Sequence, residues 1–259
     1  MIVIRNPESI TQAINRFKTS YHNDYYEVRK LSETYLNGNT SDKHINALSE
    51  ALFNAINNWG AGRRKAPSPK NISDFILTLK SSKLYENLKN LKSCKNEIGI
   101  TNNRRYISDS LFDSIEEFDS CLLTTLRELS VSLFEDNTNV TYPMKCLLLF
   151  TGLLPAYDSQ VKKGMKIAGF KGVDKTQYLL PTPKQQTSSD SKKICTIPFI
   201  IADCVKLNRS ILDSAIEKSR YPELKEDYGR VFDIIFFMQD EENVIVEISH
   251  FDKAQWYNI

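Results

Sequence analysis

The stretch Lys145-Cys-Leu-Leu-Leu-Phe-Thr-Gly-Leu-Leu-Pro-Ala-Tyr-Asp158-Ser-Gln-Val-Lys-Lys-Gly164 decides how the rest of the chain is read. The apolar run from Cys146 to Phe150 is broken at Gly152, a residue type that closes helices because it takes a left-handed backbone without steric cost. Pro155 cannot continue the preceding helix. Asp158 then opens a basic segment through Ser159, Gln160, Val161, Lys162 and Lys163. This order predicts a carboxylate at the mouth of a helix pair, beside backbone amides and cations able to hold a phosphate.

Helical periodicity extends outward from this stretch over the first two-thirds of the chain. Asn6-Pro7 predicts an N-cap and first helical residue, followed by a face of Ile10, Ile14 and Phe17. Ser41-Asp42 opens a helix with Ile45, Leu48, Leu52, Ile56 and Trp59 as its stripe, ended by Gly60 and Gly62. Ile72, Phe75, Ile76 and Leu79 mark a third helix after the Pro67-Ser-Pro69 breaker. The longest signal runs from about Ile107 to Phe134 and predicts a central buried helix, stopped by the polar turn at Glu135–Asn139.

The expected organisation is a helical domain with the cleft over residues 1–181, a mobile polar loop at 182–193, and a C-terminal part at 194–259 packed on the same domain. That last part holds a helix at Ile211–Ser219. The apolar run Val231–Met238 and the β-branched run Val244–Ile248 read either as a small β-hairpin or as a buried helix followed by a strand.

Composition sets bounds. A chain of 259 residues with 41% hydrophobic and 25% charged residues buries a substantial core. A net charge of +2 excludes a wholesale, histone-like affinity for nucleic acid, so local clusters matter more. Cations gather at Arg63-Arg64-Lys65 and at Lys162, Lys163, Lys166, Lys171 and Lys175, whereas acids gather between Asp213 and Glu247. Five scattered cysteines without a Cys-x-x-Cys pair argue against a zinc site or a disulfide framework. No run approaches a membrane span and no signal-peptide pattern opens the chain, so the expectation is a reducing, intracellular protein with no membrane partner.

The segment around Asp158 resembles that of helix-hairpin-helix DNA glycosylases, in which a glycine and a proline precede an Asp-x-x-Val turn carrying the catalytic acid. The match covers residues 145–164. The resemblance implies a mainly α, two-lobed helical bundle that binds DNA and hydrolyses the bond between a damaged or modified base and its sugar. Breaking that bond develops positive charge on the sugar, which a carboxylate at Asp158 stabilises while orienting water. Ser159, Gln160, Lys162, Lys163 and Lys166 become candidate DNA contacts, joined by Arg63, Arg64 and Lys65 from the glycine-flanked loop. Tyr157 and Trp59 become candidates for stacking on a base or lining its pocket.

The sequence also departs from that family. Where a glycine-rich hairpin normally grips phosphate, it reads Asn137-Thr-Asn-Val-Thr-Tyr-Pro143-Met. Bifunctional members place a Schiff-base lysine further upstream than Lys145 stands from Asp158, so that role is not carried over. The expectation is a monofunctional enzyme that leaves an abasic site uncut. No four-cysteine cluster closes the chain, which sets aside the iron–sulfur branch; no cofactor, metal or obligate protein partner is implied. Divergence from housekeeping members points to an unusual target, such as a hypermodified base in phage DNA.

Two other readings stay open. Asp158 can be a simple N-cap, worth about 1 kcal/mol, on a helical module that binds DNA or protein without chemistry. Asp233 with Glu247-Ile-Ser249 is reminiscent of a metal-dependent nuclease, with serine at the lysine position and Lys253 as a substitute cation. The segment Gly169–Thr176 has the wrong spacing for a phosphate loop, and His22, His44 and His250 are isolated.

Overall fold

A computed structural model of the chain describes residues 2–108, 111–173, 180, 185, 187–248 and 256–259. Strand β1 (Ile2–Ile4) leads into α1 (Pro7–Arg16), which starts as the Asn-Pro pair predicts: Asn6 Oδ1 accepts from Ser9 N at 3.3 Å and Pro7 stands at the first helical position. After α2 (Thr19–Leu36), helix α3 (Asp42–Asn58) buries the predicted stripe and stops at Gly60, whose φ of 98° favours glycine. Helices α4 (Ile72–Leu79) and α5 (Ser82–Ser93) are capped by Asn71 and Ser81, each accepting from an amide in the first turn.

The next segment departs from expectation. Strands β2 (Ile98–Thr101) and β3 (Arg104–Ile107) form a hairpin through Asn102 and Asn103, both at positive φ, which asparagine tolerates better than most residues. The central helix α6 (Ile115–Leu133) therefore begins after Ile107, where Ser114 Oγ accepts from Glu117 N at 3.1 Å. Local capping overrode apolar spacing that ran on through a strand.

Helices α7 (Thr141–Thr151) and α8 (Ser159–Ile167) flank the connection singled out above. Helix α9 (Ser189–Glu217) takes in residues 189–193, the end of the stretch expected as a loop. The reason is an N-cap: Ser188 Oγ accepts from Ser191 N at 3.3 Å, so the polar residues there form a first helical turn. Residues 182–184 and 186 of that stretch lie outside the described residues. Within α9, Pro198 removes one backbone bond and Asn208, at φ −126°, marks a kink.

Helix α10 (Tyr228–Met238) resolves the C-terminal ambiguity. Val231, Phe232, Ile234, Ile235 and Phe236 are all fully buried, and a helix covered on every side shows no period. Of the two readings, the buried helix followed by a strand is the one observed, and the hairpin is not formed. Strand β4 (Val246–Ile248) instead pairs antiparallel with β1, Ile2 opposite Ile248, and Arg5 forms an ion pair with Glu247. No spacing within the C-terminal segment reveals a strand partner from the other end of the chain.

One buried apolar cluster runs through these elements, from Ile2 to Trp256. All five cysteines are free thiols. Among the described residues, no helix is long and apolar enough to cross a membrane.

Candidate active site

Gly152 ends α7 at φ 64°, and a Cβ there would stand 2.7 Å from Asp227 Oδ1, so both conformation and space require glycine. The connection ends at Tyr157, a non-glycine residue held at φ 51°. Such a backbone costs on the order of 1 kcal/mol or more and persists only where the surroundings impose it. Here the turn delivers Asp158 to the start of α8.

Helix α10 holds this connection from behind. Gly229 packs so closely on Gly152 that a Cβ would stand 2.2 Å from Gly152 O. Asp233 Oδ1 accepts from Ala156 N at 2.8 Å, and Gln239 Nε2 donates to Gly164 O at 2.6 Å. A Cβ on Gly164 would lie 1.7 Å from Phe236 O, so glycine alone permits this approach of α8 to α10.

The two carboxylate oxygens of Asp158 do different things. Oδ1 accepts from Gln160 N and Val161 N, both at 3.0 Å, which caps α8. Oδ2 lies 4.0 Å from Lys145 Nζ, with the side chain 23% exposed. Asp158 and Lys145 line a cleft of roughly 390 Å³, counted out to its mouth, together with Phe17, Tyr21, Trp59, Ala156, Arg230, Asp233 and Phe237.

Charge inside this cleft is tightly held. Lys145 is 7% exposed, donates to Trp59 O at 2.8 Å and sits 4.6 Å over the Tyr142 ring. Burial lowers its pKa, which Asp158 and then Asp233 partly counter. Arg230 donates from Nη1 to Asp233 Oδ2 at 2.6 Å and from Nη2 to Tyr21 O at 3.1 Å. Burial pushes the Asp233 carboxyl up; Arg230 opposes the rise and Asp158 adds to it.

Nine of the eleven residues predicted from sequence fall into three groups. Asp158 and Trp59 come together in the cleft; Trp59 also donates from Nε1 to Asp24 Oδ2 at 3.1 Å. Arg63, Arg64 and Lys65 are exposed on the loop after α3, with Arg64 at φ 52°. That loop stands near the cleft through Tyr142, whose hydroxyl is pushed up to about 12 by burial and by Asp158 while Arg63 pulls it down. Ser159, Gln160, Lys163 and Lys166 are exposed on α8.

Two expectations need correction. Tyr157, expected to stack on a base or line its pocket, has no exposed surface; its ring packs inward because the left-handed turn directs the chain that way. Lys162, expected to meet a phosphate, is 7% exposed, and burial lowers its pKa. It falls on the side of α8 that carries Val161 and Met165 into the core.

Sequence reasoning missed Lys145, Arg230, Asp233, Phe17, Tyr21 and Phe237 as parts of one cleft. A usable signal existed: isolated charges such as Lys145 and Asp233 inside otherwise apolar helical runs imply a buried partner.

The remaining chemistry-bearing residues have partners of their own. Asp233 faces Arg230, while Glu247 pairs with Arg5 across β1 and β4; Lys253 lies outside the described residues. Among the described residues, no three His, Cys, Asp or Glu side chains group to hold a metal. His22 stacks on Tyr221 at 3.7 Å, and His44 bonds Leu31 O at 2.8 Å. His250 and residues 174–176 lie outside the described residues.

Comparison with known proteins adds no family: no family model, no curated protein and no solved structure matches the chain.

Proposed function

We propose that this protein is a DNA N-glycosylase, a divergent relative of the two-lobed helix-hairpin-helix enzymes, which hydrolyses the bond between a damaged or modified base and its sugar. The observation that carries the reading is the division of labour at Asp158. Oδ1 is spent on the cap of α8, while Oδ2 remains beside Lys145 in an aromatic-walled cleft. Oδ2 takes no part in the cap and faces a cleft that a guest can enter.

In this mechanism a flipped nucleotide enters the cleft between the ring of Trp59 and the Asp158 carboxylate. Oδ2 stabilises the positive charge that develops at C1′ and takes a proton from the attacking water. Arg63, Arg64, Lys65, Lys163 and Lys166 contact phosphates and help offset the few kcal/mol that flipping costs. The start of α7 does not share this task. Asn139 Oδ1 accepts from Thr141 N at 2.9 Å, so an asparagine occupies an amide that a glycine hairpin would offer to phosphate.

The reaction needs no metal in this scheme and leaves the abasic strand uncut. The proposed target is a modified base, hypermodified phage DNA included. The test is base release from modified and unmodified DNA in EDTA, with abasic sites revealed by alkali and Asp158→Asn as the control. Abasic sites from wild type alone support the glycosylase. Equal DNA binding by both proteins with no abasic sites on any DNA favours the non-catalytic module. Cleavage that requires magnesium and is lost in Glu247→Gln favours the nuclease.

A further inference from the structure

The aromatic rings lining the cleft already serve cations of the protein itself. The Arg230 guanidinium carbon lies 4.8 Å from the centre of the Phe17 ring, 4.9 Å from Trp59 and 5.0 Å from Tyr25. Lys18 Nζ stands 4.7 Å over the Tyr21 ring, and Lys145 Nζ stands 4.6 Å over Tyr142. A cationic guest is attracted to the negative face of a ring. Three of the four aromatic rings that line the cleft, Phe17, Tyr21 and Trp59, are therefore engaged by built-in positive charge.

Arg230 cannot step aside. It is 1% exposed, and its terminal nitrogens are held by Asp233 and by Tyr21 O. Asp233 pairs with it at 2.6 Å and fixes the guanidinium in place against the rings of Phe17 and Trp59. A cationic base entering here finds these rings already engaged by cations, and the guanidinium, 1% exposed, is little screened by solvent.

We propose that the cleft accepts uncharged bases and rejects bases with a fixed positive charge, such as N7-alkylated purines, with Arg230 as the residue that sets this selection. The inference rests on the glycosylase reading. Bond-breaking chemistry favours the same choice. When the C1′–N bond breaks, its electron pair leaves with the base; water oxygen bonds to C1′ and gives its proton to Asp158. An uncharged base departs as an anion and then takes a proton from solvent. Nearby Arg230 and Lys145 stabilise that anion. A base that begins cationic departs neutral and gains nothing from them.

The test uses duplexes carrying one 7-methylguanine, uracil, hypoxanthine or 5-hydroxymethylcytosine, together with glucosylated phage DNA. Release by the wild-type protein is divided by spontaneous loss. The expected result is an enhancement for the best uncharged base that exceeds that for 7-methylguanine about tenfold or more, the scale of one desolvated cation–π contact. Arg230→Gln combined with Asp233→Asn, which strands no buried charge, should narrow the gap. If that variant does not fold, the wild-type comparison decides alone. Equal or greater enhancement for 7-methylguanine, abolished in Asp158→Asn, overturns charge selection and leaves the glycosylase standing. No release from any substrate overturns both.

Discussion

Lys145 Nζ stands 4.0 Å from Asp158 Oδ2, too far for a direct hydrogen bond and close enough for each to feel the other's charge. The amine is anchored on Trp59 O and the carboxylate on the first turn of α8. Their separation is therefore set by α3, α7 and α8 together. A substrate atom or a water molecule meets two fixed charges whose positions cost no reorganisation at the moment of reaction.

Splitting the two roles of Asp158 is the first expectation. Asp158→Asn keeps an oxygen for the cap, so its melting temperature should stay close to wild type while base release falls by about two to three orders of magnitude. Asp158→Ala should lose the same activity and a further ~1 kcal/mol of stability. Thermal melts alongside single-turnover release separate the effects; an active Asp158→Asn protein would leave Asp158 as a cap.

The salt dependence of DNA binding should sort the lysines of α8. Replacing Lys163 with Gln, or Arg63 with Ser, should reduce the slope of log K against log salt by about 0.9 for each phosphate that is no longer neutralised. Lys162→Gln should leave the slope unchanged, because that side chain is buried. An equal effect of Lys162 and Lys163 on the slope would contradict the assignment.

Turnover should leave the strand intact, and borohydride added during reaction should trap no protein–DNA adduct. Lys145 already donates to Trp59 O, which holds its nitrogen against the protein backbone. A trapped adduct that disappears in Lys145→Met would replace water with this amine as the nucleophile.

Gly164→Ala should destabilise the protein by about 3 kcal/mol, the upper end of overpacking effects, because its Cβ would lie 1.7 Å from Phe236 O. Chemical denaturation measures this directly. A neutral result would mean that α8 and α10 can separate without penalty.

Acid should weaken the fold through His22. Burial, and then Arg230, lower its pKa from 6.5 to about 4. The unfolded chain binds the proton more readily, so stability attributable to this residue is present above pH 6.5 and is lost as pH falls toward about 4. His22→Gln should flatten that part of the stability–pH curve; an unchanged curve would show that other groups carry the acid response.

Much of the helical framework was legible in the sequence. Asn6-Pro7, the stripe of α3 and the Gly152–Asp158 connection are local signals, and each acts within a few residues of where it is written. The β2–β3 hairpin was overlooked because Ile107 fits both a strand and the apolar spacing that continues into α6. The cleft was legible only in part. Asp158 and Trp59 stood out by their positions at helix ends, whereas nothing in the spacing of Lys145, Arg230 and Asp233 brings them to the same cleft, because they lie on two helices far apart in sequence.

By itself, the sequence determined a mainly helical chain, the position of its principal turns and the residue that opens α8, since caps, glycines and apolar periods act through the local backbone. Tertiary structure alone decided that β1 pairs with β4, that Tyr157 and Lys162 turn inward, and that Arg230 and Asp233 close the cleft. Those outcomes depend on close packing between segments far apart in the chain: Gly164 against Phe236, Gly229 against Gly152, Asp233 on the Ala156 amide. Such contacts obey no spacing within either segment, because the partner that satisfies each one arrives only when the chain has folded.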